Sequence, residues 1–76
     1  MNKTIGSEKY RDLVSWLKSS RTGQDLTQRD LSKLLNKPRS YVAKIELMER
    51  KLDVREYVIY CQVLDIEPEI GLNFLK

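Results

Sequence analysis

At 76 residues the chain is near the size at which a single hydrophobic core must carry the whole fold. With one cysteine, Cys61, and no histidine, it can form no intrachain disulfide and offers neither Cys/His metal ligands nor histidine catalysis, and a reducing compartment is expected. The formal charge of +3 is modest but unevenly placed: from Thr27 to Lys51 seven basic residues stand against three acidic ones, a local excess of +4 that leaves the remainder at −1. That concentration is expected of a surface facing a polyanion, the plainer alternative being a solvated face that happens to be basic. No apolar run approaches the length of a membrane span, and "MNKTIGSEKY" lacks the apolar stretch of a signal peptide, so a soluble, cytoplasmic protein without a membrane partner is expected.

The first predicted helix carries Tyr10, Leu13, Val14 and Leu17 at i, i+3, i+4 and i+7, one apolar stripe, with Ser7 as its N-cap. Trp16 flanks the stripe and is expected to seal the core edge, since aromatic residues at helical spacing are usually packing residues. "SSRTGQD" ends this helix, with Gly23 suited to the left-handed turn after it.

The second helix starts with Thr27 as cap and Asp30 at the third helical position, a shortened capping box, while Leu26 and Leu31 can form a hydrophobic staple. Its buried side is predicted to be Leu31, Leu34 and Leu35. Asn36 follows where a left-handed residue would close the helix, and Pro38 suits the first turn of the next one. That third helix is predicted over about residues 38–47, burying Val42 and Ile45. On another face, Arg39 with Ala43 and Ser40 with Lys44 stand at i, i+4. The short connection makes residues 27–47 a tight helix-turn-helix.

A fourth helix begins at Asp53, with Glu56 at the capping-box position, and is predicted to place Val54, Tyr57, Val58, Cys61 and Leu64 on its core side. Ile59 and Val63 fall opposite that stripe. Pro68 opens a short fifth helix interrupted by Gly71, with Ile70, Leu72, Phe74 and Leu75 as apolar residues. No repeat, low-complexity tract or alternating strand pattern occurs, so the chain reads as one all-α domain spanning residues 1–76.

"LTQRDLSKLLNKPRSYVAKIE" followed by "RKLDVREYVIYCQVLDIEP" resembles the phage-repressor-like helix-turn-helix family, the Cro and Xre-type transcriptional regulators, over roughly residues 10–70. The Leu-Thr-Gln opening of helix two, the buried leucines, the Ser-Tyr-Val…Lys-Ile-Glu pattern of helix three and the apolar ladder of helix four agree with that family together. The resemblance implies a five-helix, lambda-repressor-like all-α domain that inserts its third helix into the major groove of double-stranded DNA. By the same resemblance Gln28, with Thr27 beside it, contacts a phosphate, Arg39 and Ser40 read bases, and Lys44 faces the groove; Ala43 shares that face by its i, i+4 spacing from Arg39. Lys37 and Tyr41 match flanking positions that touch the backbone, as Arg50 and Lys51 could beyond the helix. These roles suit the side chains: arginine can donate a bidentate pair to guanine, and a small alanine allows close approach or contact with a thymine methyl.

The chain departs from the family's pattern at two positions. Met48 stands where a glycine commonly follows the recognition helix, so helix three is expected either to run on or to turn differently. Asn36 stands where the family has glycine in the preceding turn, a conservative exchange at a left-handed position.

Glu46 would repel phosphate and is expected to bond within the fold, while Arg29, Lys33 and Lys18 read as solvated surface charges. Cys61 reads as a small buried hydrophobe. Ile59 and Val63 either pack under the fifth helix with Phe74 and Leu75 or join them in a homodimer interface, the latter being favoured because exposed apolar pairs mark contacts. An enzyme is not expected: no nucleophile has a base beside it and no glycine-rich loop exists to cradle a phosphate. No cofactor or metal is expected.

The reading is a sequence-specific transcriptional regulator, a repressor of phage, mobile-element or restriction-controller type. It would be a prokaryotic or phage-encoded protein, associated with the nucleoid when bound to a palindromic operator. The rival is an antitoxin or small adaptor of the same fold whose main partner is a protein. An antitoxin would be expected to carry an extra toxin-binding segment, and little length remains for one before Lys76.

Overall fold

The computed structural model describes residues 2–76, with side chains from Glu8 onward. Five α-helices follow in order, α1 (Asn2–Thr22), α2 (Gln28–Leu34), α3 (Tyr41–Glu46), α4 (Val54–Leu64) and α5 (Pro68–Leu72), and a 3₁₀ turn, Asn73–Leu75, completes the chain. No strand occurs among the described residues, and none of their helices is long and apolar enough to cross a membrane. Helix α1 begins ahead of Ser7, which therefore lies inside the helix and not at its cap. Its Leu13, Val14 and Leu17 are buried as their spacing requires.

At the start of α2 the Thr27 hydroxyl oxygen accepts the Asp30 N–H at 2.9 Å and the Asp30 carboxylate accepts the Thr27 N–H at 3.0 Å, a closed capping box. The reciprocal pair at α4 joins Asp53 and Glu56 at 2.7 and 3.0 Å. The Asp30 and Glu56 carboxylates are held below their ordinary pKa values, chiefly by the backbone N–H each accepts.

Two of the predicted buried faces were rotated from those observed. Leu34 is 58% exposed, and Ser32 is fully buried in its stead. At 3.6 residues per turn Leu34 lies about 100° from the face centred on Leu31, Ser32 and Leu35. The inward hydroxyl of Ser32 accepts the Val42 N–H at 3.0 Å, satisfying a first-turn donor of α3 that has no partner within its own helix. In α4 the buried side chains are Tyr57, Tyr60, Cys61 and Leu64, whereas Val54 and Val58 are exposed, Val54 by 81%. Helix α4 is turned toward Tyr60, whose large ring fills the interior.

Four helices close on left-handed residues, and none of these is glycine: Asp25, Asn36, Met48 and Asp65 have φ of 59°, 61°, 67° and 58°. Asn36 fulfils the expectation, but at the end of α1 the left-handed residue is Asp25 and not Gly23. After α3 the Met48 N–H bonds to Ile45 C=O at 3.0 Å and the Glu49 N–H to Lys44 C=O at 2.9 Å. This pair of bonds is a Schellman closure, which a glycine would ordinarily supply. Helix three therefore ends on time despite the missing glycine, and Met48 adopts the glycine's conformation.

Helix α3 is shorter than predicted. The Tyr41 N–H bonds to Pro38 C=O at 2.9 Å, three residues back, so residues 38–40 form a tight turn and the α-helix proper starts at Tyr41. Gly71 does not interrupt α5. It is buried inside the helix, and a Cβ there would stand 2.5 Å from Trp16 Cζ3, 2.7 Å from Leu13 Cδ1 and closer still to Tyr57 Oη. Its role is to let α5 approach α1 and α4.

Candidate nucleic-acid interface

Val42 and Ile45 are fully buried and anchor α3 to the core. With those residues inward, Arg39, Ser40 and Lys44 are exposed and Ala43 is half-buried, so the four residues expected to read bases share the outer side of the turn and helix. The Ser40 side chain makes no capping bond and remains available to an external partner. Lys37, Pro38, Ser40, Tyr41, Lys44 and Arg50 line an adjoining depression of about 280 Å³.

Tyr41, in the lining of this depression, has two cations near its ring. The Lys37 ammonium lies 5.4 Å and the Arg50 guanidinium 5.1 Å from the Tyr41 ring centroid, the latter also pairing with Glu56 at 2.5 Å. Tyr41 itself is 6% exposed and belongs to the core, where burial raises the pKa of its phenol above the ordinary value. It supports the basic side chains more than it stands free among them. Arg50 is likewise engaged by Glu56, while Lys51 is exposed.

At the other end of the helix-turn-helix, Thr27 is exposed and Gln28 half-buried. The Gln28 amide nitrogen donates to Glu46 Oε1 at 2.8 Å, across the angle between α2 and α3. Glu46 also receives the Arg21 fork, Nε at 2.8 Å and Nη2 at 3.1 Å, and Arg21 Nη1 donates to Leu26 C=O at 2.7 Å. The pair is almost wholly buried, with side chains 8% and 5% exposed. Glu46 thus bonds within the fold, as its sign required, but Arg21 was missed by the sequence reading. Twenty-five residues separate the partners, beyond the reach of any helical spacing rule.

The four apolar residues considered for a dimer interface have different surroundings. Val63 packs against the core; Phe74 meets Trp16 with ring centroids 6.2 Å apart and planes tilted by 48°; Ile59 lies in a polar-rimmed depression with Tyr41 and Glu56. Leu75 lines a separate, largely apolar cleft of about 210 Å³ with Leu13, Val54, Val58 and Leu72. Among the described residues no cluster of three or more His, Cys, Asp or Glu side chains could hold a metal ion.

Residues 17–70 match a family model described as helix-turn-helix. The chain is also similar to a solved structure, an XRE-family like protein from Pseudomonas syringae pv. tomato str. DC3000, with 35% sequence identity and a TM-score of 0.88, over 99% of this chain and 94% of that one. No curated protein matches the sequence. Both likenesses cover the elements that present the basic face, and the chain belongs to the Cro/Xre-type helix-turn-helix family of DNA-binding regulators.

Proposed function

We propose that this protein is a transcriptional repressor, residues 1–76 acting as one DNA-binding unit that reads a double-stranded operator with α3 and the turn before it. The observation that carries the reading is the division of α3 and the turn before it: Val42 and Ile45 wholly buried, Arg39, Ser40 and Lys44 exposed on a basic ridge. Arg39 reads guanine through O6 and N7, Ser40 and Lys44 contact neighbouring edges, and Ala43 allows the ridge to approach. Thr27, Gln28 and Lys37 hold phosphates and fix the register, with Tyr41 as the platform beneath Lys37. Arg50 and Lys51 add attraction for the flanking backbone.

The operator is palindromic and read by a homodimer, with half-sites about one helical turn, 34–36 Å, apart. The exposed Ile59, Phe74 and Leu75, with the half-buried Val63, supply apolar contact for the second copy. Occupying promoter DNA in the cytoplasm is sufficient to block transcription, and no cofactor is required.

Fluorescence anisotropy at fixed salt tests the assignment. Arg39→Ala should weaken operator binding by about 1–3 kcal/mol and relax discrimination at one base position. Gln28→Ala should weaken binding to all sequences alike. Unchanged operator affinity for Arg39→Ala would remove Arg39, and the turn that presents it, from the base-reading role.

A further inference from the structure

We infer that Glu46, held by Arg21, is a positioning residue for DNA binding: it sets which end of the Gln28 amide faces the DNA. The inference rests on the proposed phosphate role of Gln28. An ionised carboxylate has no proton to give, so the group of Gln28 that meets Glu46 Oε1 at 2.8 Å must be its NH₂. One N–H is consumed there, the amide plane is fixed, and the second N–H is left for an acceptor outside the fold. A phosphate oxygen is such an acceptor. A free glutamine would present its carbonyl oxygen as readily as its NH₂, and the carbonyl offers a phosphate nothing.

Glu46 alone would be a poor neighbour for DNA, because its charge repels phosphate. Arg21 removes that objection. Its Nε and Nη2 cover the two carboxylate oxygens at 2.8 and 3.1 Å, in a site where Glu46 is 5% exposed. The orienting acceptor is thus kept while its charge is neutralised locally, and the arrangement links the ends of α1 and α3 to the start of α2.

The test is a double-mutant cycle between Glu46→Gln and Gln28→Ala, read as affinity for a mixed-sequence 20-base-pair duplex at low salt, since a phosphate contact does not depend on sequence. Circular dichroism checks folding of each variant. In the native background Gln28→Ala should weaken binding about tenfold, equivalent to about 1.4 kcal/mol. In the Glu46→Gln background the same substitution should cost less than about twofold, because an amide at position 46 can meet either end of Gln28 and no longer dictates which end faces the DNA. An undiminished tenfold loss in both backgrounds would overturn the positioning role and leave the phosphate contact standing. No loss from Gln28→Ala in the native background would overturn the phosphate reading and the inference with it.

If Glu46→Gln does not fold, side-chain amide relaxation in the free native protein decides. The Gln28 NH₂ group should be rigid beside that of the exposed Gln62, and equal mobility of the two would overturn the inference.

Discussion

Replacing Met48 with glycine should relieve the backbone that closes α3. The residue stands at φ 67°, in the left-handed region, and closes α3 through its own N–H and that of Glu49. For an L-residue this conformation costs about 1–2 kcal/mol, because Cβ crowds the following carbonyl oxygen. Glycine has no such cost but loses about 0.5–1 kcal/mol more in backbone entropy on folding. The difference leaves a backbone gain of about 0.5–1 kcal/mol, which corresponds to a rise in Tm of about 2–8 °C for a domain of this size.

The Met48 side chain is half-buried, and its loss acts in the opposite direction. Met48→Ala isolates that contribution, since alanine removes the side chain while keeping Cβ in the left-handed conformation. The comparison is therefore between glycine and alanine, by chemical denaturation with both variants sharing one m-value. Glycine should be the more stable by about 0.5–1 kcal/mol, whereas within a helix it would be the less stable by a similar amount. A glycine variant less stable than the alanine one would refute the left-handed closure at Met48.

Gly71→Ala should destabilise by about 1–3 kcal/mol, because the added methyl meets the side chains of Trp16, Leu13 and Tyr57; thermal melts followed by Trp16 fluorescence would detect it. Acid should weaken the fold through Asp30 and Glu56. Both pKa values are lowered on folding from ordinary values of 3.8 and 4.5, so their contribution is present above those values and is lost as pH falls through the lowered folded ones. Thermal melts from pH 6 to pH 2 should show that fall, and removal of both carboxylates should flatten it. Cys61 is fully buried and burial raises its thiol pKa, so it should react with a disulfide reagent only as fast as the chain opens, and at once in denaturant.

Local signals were legible in the sequence, and long-range ones were not. Thr27 with Asp30 and Asp53 with Glu56 announced two helix starts, because a capping box is complete within four residues. Asn36 marked its left-handed turn for the same reason. Periodicity found every helix, yet it could not distinguish Leu34 from Ser32 as the inward residue of α2. That choice depends on the donor that Val42 presents from another helix. The bond from Arg21 to Glu46 joins residues whose proximity exists only after α1 and α3 pack. At the candidate site, the exposed positions of Arg39, Ser40 and Lys44 followed from their offset to Val42 and Ile45. The engagement of Gln28 with Glu46, and of Arg50 with Glu56, followed from no local pattern.

Selection of bound duplexes from a random-sequence pool, run in parallel with the native protein and Arg39→Ala, tests the central claim most directly. The native protein should enrich a two-fold-symmetric motif with half-sites one helical turn apart, and Arg39→Ala should enrich the same motif with one base position per half-site relaxed. Recovery of no motif above the input pool would contradict sequence-specific DNA reading by α3.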